Sequence, residues 1–199
     1  MDFHHFLRTR RSIRRFKPDP VPDSVLTSIL TTATFAPSAH NRQPWRFCVV
    51  TDLMVKERLA SAMELEFERD LKQDNLPHEE IQKRLNRSHE RIIAAPVLIL
   101  LCLDMSDMDA YPDTKRKRAE FRMAMQSVAN AGMQLMLAAH AEGLGSVWVC
   151  SPLFVQETIQ QVLELPRNWE PHAMFFLGYP AITPEARERK KLAEITKYF

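Results

Sequence analysis

One long helix with no broad polar side constrains this chain more than any other stretch. Residues 115 to about 142 have helical character, and after Phe121 the run from Met123 to Ala139 is apolar nearly all round. Gln126 and Asn130 are its polar exceptions and need partners. Such a helix must be covered on several sides, by its own sheet and by a second subunit. Ala124, Ala131 and Gly132 permit close approach, and the four methionines read as gap-filling core.

The sheet that covers it can be picked out in order. Pro96 to Leu103 is the strongest strand and, far below the ~20 residues of a membrane span, belongs mid-sheet. Residues 47–51, a buried strand, 147–150 and 173–178 supply the others. Further helices are expected over 2–10, over 24–35 with Asp23 or Ser24 as cap, over 53–73 capped by Asp52, from Pro77 to about 93, and over 155–164. The 53–73 and 77–93 segments are heavily charged and suit an outer layer or lid. Pro18, Pro20 and Pro22 make an extended connector. The tail from Pro180 ends in Ile195-Thr196-Lys197-Tyr198-Phe199, which should dock on something apolar.

At 199 residues, 45% hydrophobic and 26% charged, the composition is that of a single soluble globular domain over 1–199. The first residues lack the design of a secretory signal. Cys48, Cys102 and Cys150 form no CxxC pair, which argues for reduced thiols and a cytoplasmic setting, with Cys48 and Cys102 buried in strands. The histidines show no metal-ligand spacing, and the acidic loop 104–113 lacks the spacing and turn glycine of a calcium loop.

Charge is the second clue. Residues 8–17 carry six cations and no carboxylate, while the whole chain has a formal net charge of +2. Such a cluster can hold a phosphate through charge-assisted bonds from arginine forks and the Ser12 hydroxyl. The four glycines form neither GxGxxG nor GxxxxGK[ST], so any nucleotide-like cofactor must be gripped by side-chain cations. The competing interpretation is a basic nucleic-acid-binding module using 8–17 and Lys115–Arg118, although a solvated helix start explains the latter.

Arg10-Arg11-Ser12-Ile13-Arg14, followed by Pro37-Ser38-Ala39-His40-Asn41-Arg42-Gln43-Pro44-Trp45, resembles the nitroreductase family of FMN-dependent oxidoreductases. Gly143-Leu144-Gly145, the segment Trp148 to Phe154, Gly178-Tyr179-Pro180 and the Arg187/Arg189 pair extend the match over almost the whole chain. Within the family the nearest likeness is to the C-terminal domain of FbiB, which matures a deazaflavin coenzyme. It is carried by Cys102 to Met108, Ala139 to Gly145 and Leu165 to Pro171. The ligase domain fused to it there has no counterpart in this sequence.

The resemblance implies an α+β fold, with a central mixed but mainly antiparallel sheet flanked by helices, in an intertwined homodimer. It also implies two FMN sites at the subunit interface. Arg10, Arg11, Ser12 and Ile13 would hold the phosphate and ribityl chain, joined by Arg187 and Arg189, with Arg14 near the flavin's pyrimidine edge. Pro37, Ser38 and Asn41 would reach the flavin of the other subunit. Val149, Cys150 and Ser151 would pass its reactive edge, Cys150 acting through its N–H and not its thiol. Asp70 and His40 would contact substrate. No residue is assigned as catalytic, because the flavin transfers the hydride and the protein supplies orientation and electrostatics. The activity implied is ping-pong hydride transfer from NAD(P)H to an electron-poor planar acceptor. The alternatives are reduction of a deazaflavin or its precursor, and a flavin-storing or flavin-destroying relative.

Overall fold

A computed structural model describes residues 2–199, and Met1 of the expected 1–199 unit lies outside the described residues. Four strands form one sheet in the order β1-β2-β4-β3: β1 (Trp45–Val50), β2 (Val97–Leu103), β3 (Gly145–Val149) and β4 (Glu170–Gly178). Every pairing between these strands is antiparallel, and the parallel element is a single bridge between Ser12 and Ser146. The described residues also form seven helices: α1 (Phe3–Thr9), α2 (Asp23–Ala33), α3 (Leu53–Gln73), α4 (His78–Ala94), α5 (Thr114–Ala141), α6 (Gln156–Val162) and, in the exposed tail, α7 (Leu192–Ile195).

The unbroken apolar run of β2 has a simple cause. Both faces of the sheet are covered, and alternate side chains enter separate cores. Val97, Ile99, Leu101 and Leu103 join Phe175 and Leu177 under α2 and α5. Leu98, Leu100 and Cys102 join Met174 and Phe176 under α3, the last turn of α4, and α6. A third, small cluster of Leu71, Ile81 and Leu85 ties the far ends of α3 and α4 together. The charged α3–α4 pair is therefore half core and half outer layer.

Close approach on the α5 side depends on Gly132. A β-carbon there would overlap the indole of Trp148, which stands edge-on to Phe175 with ring centroids 5.0 Å apart. Asp113 and Asp52 cap α5 and α3 by accepting hydrogen bonds from the Arg116 and Val55 N–H groups. Helix α2, in contrast, is preceded by Pro22 and has no side-chain cap, so Asp23 lies inside the helix as a first-turn acid.

Three expectations need correcting. The 45–50 strand is an edge strand, with Val50 and Trp45 buried but Cys48 only half-buried and Val49 exposed, because nothing pairs with its outer side. The strand expected to reach Cys150 stops at Val149. The apolar end of the tail does not dock on its own chain: Leu192, Ile195, Tyr198 and Phe199 are all exposed.

The arginine stretch is stitched along the sheet margin. The Ile13 N–H donates to the Ser146 carbonyl (3.0 Å), Lys17 N–H to Tyr179 (2.9 Å), and Ala181 N–H to Arg15 (3.0 Å). Ile13 is buried against Gly145, where a β-carbon would come within 2.6 Å of it. That lock fixes where the flanking cations stand.

Candidate functional site

Two groups of cations and one mixed cavity occupy the sheet margin and the α3–α4 side. The first group surrounds a pocket of about 170 Å³ lined by Thr9, Arg10, Arg11, Ile13, His140 and the Gly143–Ser146 turn. One terminal nitrogen of Arg10, Nη1, is buried there with no hydrogen-bond partner. Burial, then the charges of Arg11 and Arg189, hold the Arg10 guanidinium below its ordinary pKa. The exposed tail thus brings Arg189 within electrostatic reach of Arg10. Arg187 is exposed and lines neither this pocket nor the two cavities on the α3–α4 side. A buried donor among like charges is a costly arrangement that an anion relieves.

The neighbours are fixed by packing. Arg11 Nη1 donates to the carbonyls of Arg8 (2.6 Å) and Arg10 (2.9 Å), closing the C-terminal end of α1. His140, which sequence reasoning did not single out, lies 3.1 Å from the Thr9 hydroxyl and stacks on Phe6 at 4.9 Å. Burial first, then Arg10, pushes its pKa below the usual histidine value, outweighing a raising contribution from the Phe6 backbone.

The second cation group lines a cavity of about 330 Å³. Arg84, Arg87 and Arg91 project from one face of α4 at i, i+3 and i+7, over a floor of Val149, Met174 and Phe176. Burial, then Arg87 and Arg14, lower the Arg91 pKa, which places Arg14 within reach of this group. Nothing in the sequence separates these arginines from a solvated helix face. The packing of α4 against the sheet sets them at the rim of the cavity, with Arg84 and Arg87 exposed and Arg91 half-buried.

A third cavity, of about 450 Å³, shares Phe67, Ser88 and Ser151 with the second. Asp70 and Asp74 line it from α3, opposite Cys150, Ser151 and Phe154. The Cys150 side chain is exposed and its sulfur accepts a hydrogen bond from the Trp148 indole at 3.2 Å. Val149, Cys150, Ser151 and Asp70 are thereby brought together, and Arg14 stands near them through Arg91.

Pro37, Ser38, His40 and Asn41 line none of these three cavities. Their loop is pinned to α5 instead: Ala39 N–H donates to Ser127 Oγ (3.1 Å), and Asn130 Nδ2 to the Pro37 carbonyl (3.1 Å). Asn130 thus has the partner its position demanded. Ser38 Oγ accepts from the Gln43 N–H, and His40, Asn41 and Gln43 all have positive φ, near 50°. Each such residue costs on the order of 1 kcal/mol or more, and strain of this kind gathers at functional loops. Among the described residues no cluster of His, Cys, Asp or Glu is arranged to hold a metal, and no helix is long and apolar enough to cross a membrane.

Comparison with known proteins bears on all of this. The chain is 31% identical over 196 residues to an NADH dehydrogenase of Thermus thermophilus, covering 86% of this chain and 83% of that protein. It is 29% identical over 204 residues to an iodotyrosine deiodinase of Haliscomenobacter hydrossis, covering 99% and 89%. A BluB-like flavoprotein of Clostridium difficile 630 has the same fold, with a TM-score of 0.83 at 24% identity over 100% of this chain and 99% of that one. The nitroreductase family pattern matches residues 7–179, which span the first arginine group, the strained loop and the whole sheet. This oxidoreductase chain belongs to the nitroreductase family.

Proposed function

We propose that the protein is an FMN-dependent oxidoreductase working as a homodimer, and the buried, unpartnered Arg10 nitrogen carries that reading. Arg10, Arg11 and Arg189 would hold the phosphate of the flavin, whose charge of about −1.5 to −2 near neutral pH suits several guanidiniums. The fit is good: a small pocket, an orphaned buried donor and no carboxylate in its lining. When bound, the flavin supplies hydride transfer from a reduced nicotinamide to an electron-poor planar acceptor, in two half-reactions of ping-pong type.

The chain's own residues prepare that chemistry. Ile13, locked against Gly145, holds the arginine segment at a fixed register. Arg14 brings positive charge toward the cavity lined by Val149 and Ser151, where it favours electron-rich states of a bound ring. Met63, Phe67 and Phe154 give the adjoining cavity an apolar wall against which a flat ring could pack.

Assembly into a dimer is supported by the outer face of α5. Met125, Ala129 and Met133 are exposed there beside the loop that carries Pro37, Ser38 and Asn41. A second copy packed on this face, with the apolar tail wrapped over it, would present that loop to its neighbour's cavities. The three cysteines are unpaired, in keeping with a cytoplasmic setting.

The test is an absorption spectrum of the purified protein, with the released chromophore identified by mass. Bound FMN is expected; a colourless protein that fails to take up added FMN would sink the reading. A second reading, reduction of a deazaflavin related to the FbiB likeness, is favoured by Asp70 facing Cys150 and Ser151 across one cavity. It requires that Asp70→Ala abolish deazaflavin binding while FMN stays bound.

A further inference from the structure

His140 lines the Arg10 pocket, and the grip of the arginines on a phosphate leaves it without a role. It is the base in the last turn of α5, half-buried, with its ring stacked on Phe6 of α1. The Thr9 hydroxyl donates its one proton to the Phe6 carbonyl (2.9 Å), so toward His140 Nε2 (3.1 Å) it can only accept. Nε2 therefore carries the proton of the neutral ring, and a second proton can add only at Nδ1. Charging the ring breaks no bond that holds it. The charged groups facing it are Arg10 and Arg11, from the segment after α1. The Gly143–Ser146 turn and the Pro180 and Thr183 end of the pocket contribute none. Glu142, two residues on, accepts a hydrogen bond from Ser28 of α2 at 3.1 Å. In the free protein burial, and then Arg10, favour the neutral ring, although the Phe6 backbone pulls the other way.

We infer that His140 is a protonable wall of the phosphate pocket, taking up a proton at Nδ1 as the anion enters and so coupling cofactor binding to pH. This deepens the FMN reading and rests on it for the identity of the anion. In so small a pocket an anion lies within a few ångströms of every group that lines it, and it offsets the guanidinium charge that opposes an imidazolium. The proton comes from solvent and returns there when the phosphate leaves, so acid favours the bound state. The phosphate's own second pKa, about 6, acts in the opposite sense, because guanidiniums prefer the dianion. Removing His140 alone separates the two.

FMN binding is followed by isothermal titration calorimetry in buffers of different ionisation enthalpy, which counts the protons exchanged. At about pH 6.5 to 7, wild-type protein should take up about half a proton more per FMN than His140→Gln. The affinity ratio of the two proteins should then grow about threefold for each pH unit of acidification. Glutamine can still donate to the Thr9 hydroxyl, and a merely structural role would change affinity equally at every pH. Proton NMR of the His140 ring in wild-type protein tests the same coupling without a variant. Saturation with FMN should raise its titration midpoint by about one pH unit, and riboflavin, which lacks the phosphate, should leave it in place.

The inference is overturned if wild-type protein and His140→Gln exchange the same number of protons throughout, or if FMN leaves the midpoint unmoved. An equal movement with riboflavin also overturns it, since the ring would then be answering the flavin body and not the phosphate. Should FMN fail to bind, the oxidoreductase reading falls separately, and inorganic phosphate takes its place in the NMR titration. A raised midpoint then supports the protonable pocket, and an unmoved one overturns it. If His140→Gln fails to fold, as circular dichroism would show, the NMR measurement on wild-type protein decides alone.

Discussion

The two arginine groups are built from the same residue type and do opposite things with it. Around Arg10 the cations close on a small pocket at the Gly143–Ser146 turn, and one donor is buried without a partner. Around Arg91 the cations hang over a wider cavity whose floor is the apolar sheet. The first geometry suits a compact, highly charged group, and the second a flat body edged by positive charge. Charge alone therefore says little about a ligand; what the guanidinium is set against decides its chemistry.

Disturbing the frame of the first group should have the largest effect. Gly145→Val would drive a side chain into Ile13, with ideal contacts of 2.6 Å, and should cost about 3 kcal/mol, read by urea denaturation. The Arg10 pocket should be lost with it, so flavin binding should fail in the same variant. If stability is unchanged, the lock between Ile13 and β3 does not hold the arginine segment.

Removing the charge while keeping the frame comes next. Arg10→Ala should weaken FMN binding about ten- to a hundredfold without lowering the melting temperature, measured by fluorescence titration. Arg189→Ala should act in the same direction by less, because that side chain is exposed. Equal losses at Arg10 and Arg91 would erase the distinction between the two groups.

The smallest expected effect is on pH dependence. His140 is held below its ordinary pKa by burial and by Arg10, so the folded state favours the neutral ring. Its contribution to stability is complete above the unfolded-state value, about 6.5, and is lost as pH falls through the lower folded value. Melting between about pH 7 and 5 should be flatter in His140→Gln than in wild type. Arg10→Ala should raise the His140 pKa toward normal, which proton NMR can follow.

Much of this could be read from residues alone where local chemistry decides the outcome. Asp52 marks the start of α3, the run from Val97 marks the central strand, and the unbroken apolar character of α5 foretells its place against the sheet. The 8–17 segment was visible because six cations without a carboxylate are rare in so short a span. The Arg84–Arg87–Arg91 face was not, since helical spacing of arginines is common on water-facing helices and only tertiary packing sets these at the rim of a cavity. His140 escaped for the same reason: its partners Thr9 and Phe6 are far away along the chain. The tail misled because apolarity says that a segment wants cover, and not whose surface provides it.

The stitching of residues 12–17 to the Ser146 and Tyr179 carbonyls has a consequence for biogenesis. Arg10, His140 and Arg189 lie far apart along the sequence, so the complete pocket cannot form until synthesis has passed residue 189. Residues 12–17 pair with the sheet margin across a long stretch of sequence, the kind of non-local contact that slows folding. Uptake of a flavin should therefore wait for all three segments to be made, and a pulse-labelled translation reaction would show their synthesis ahead of cofactor capture.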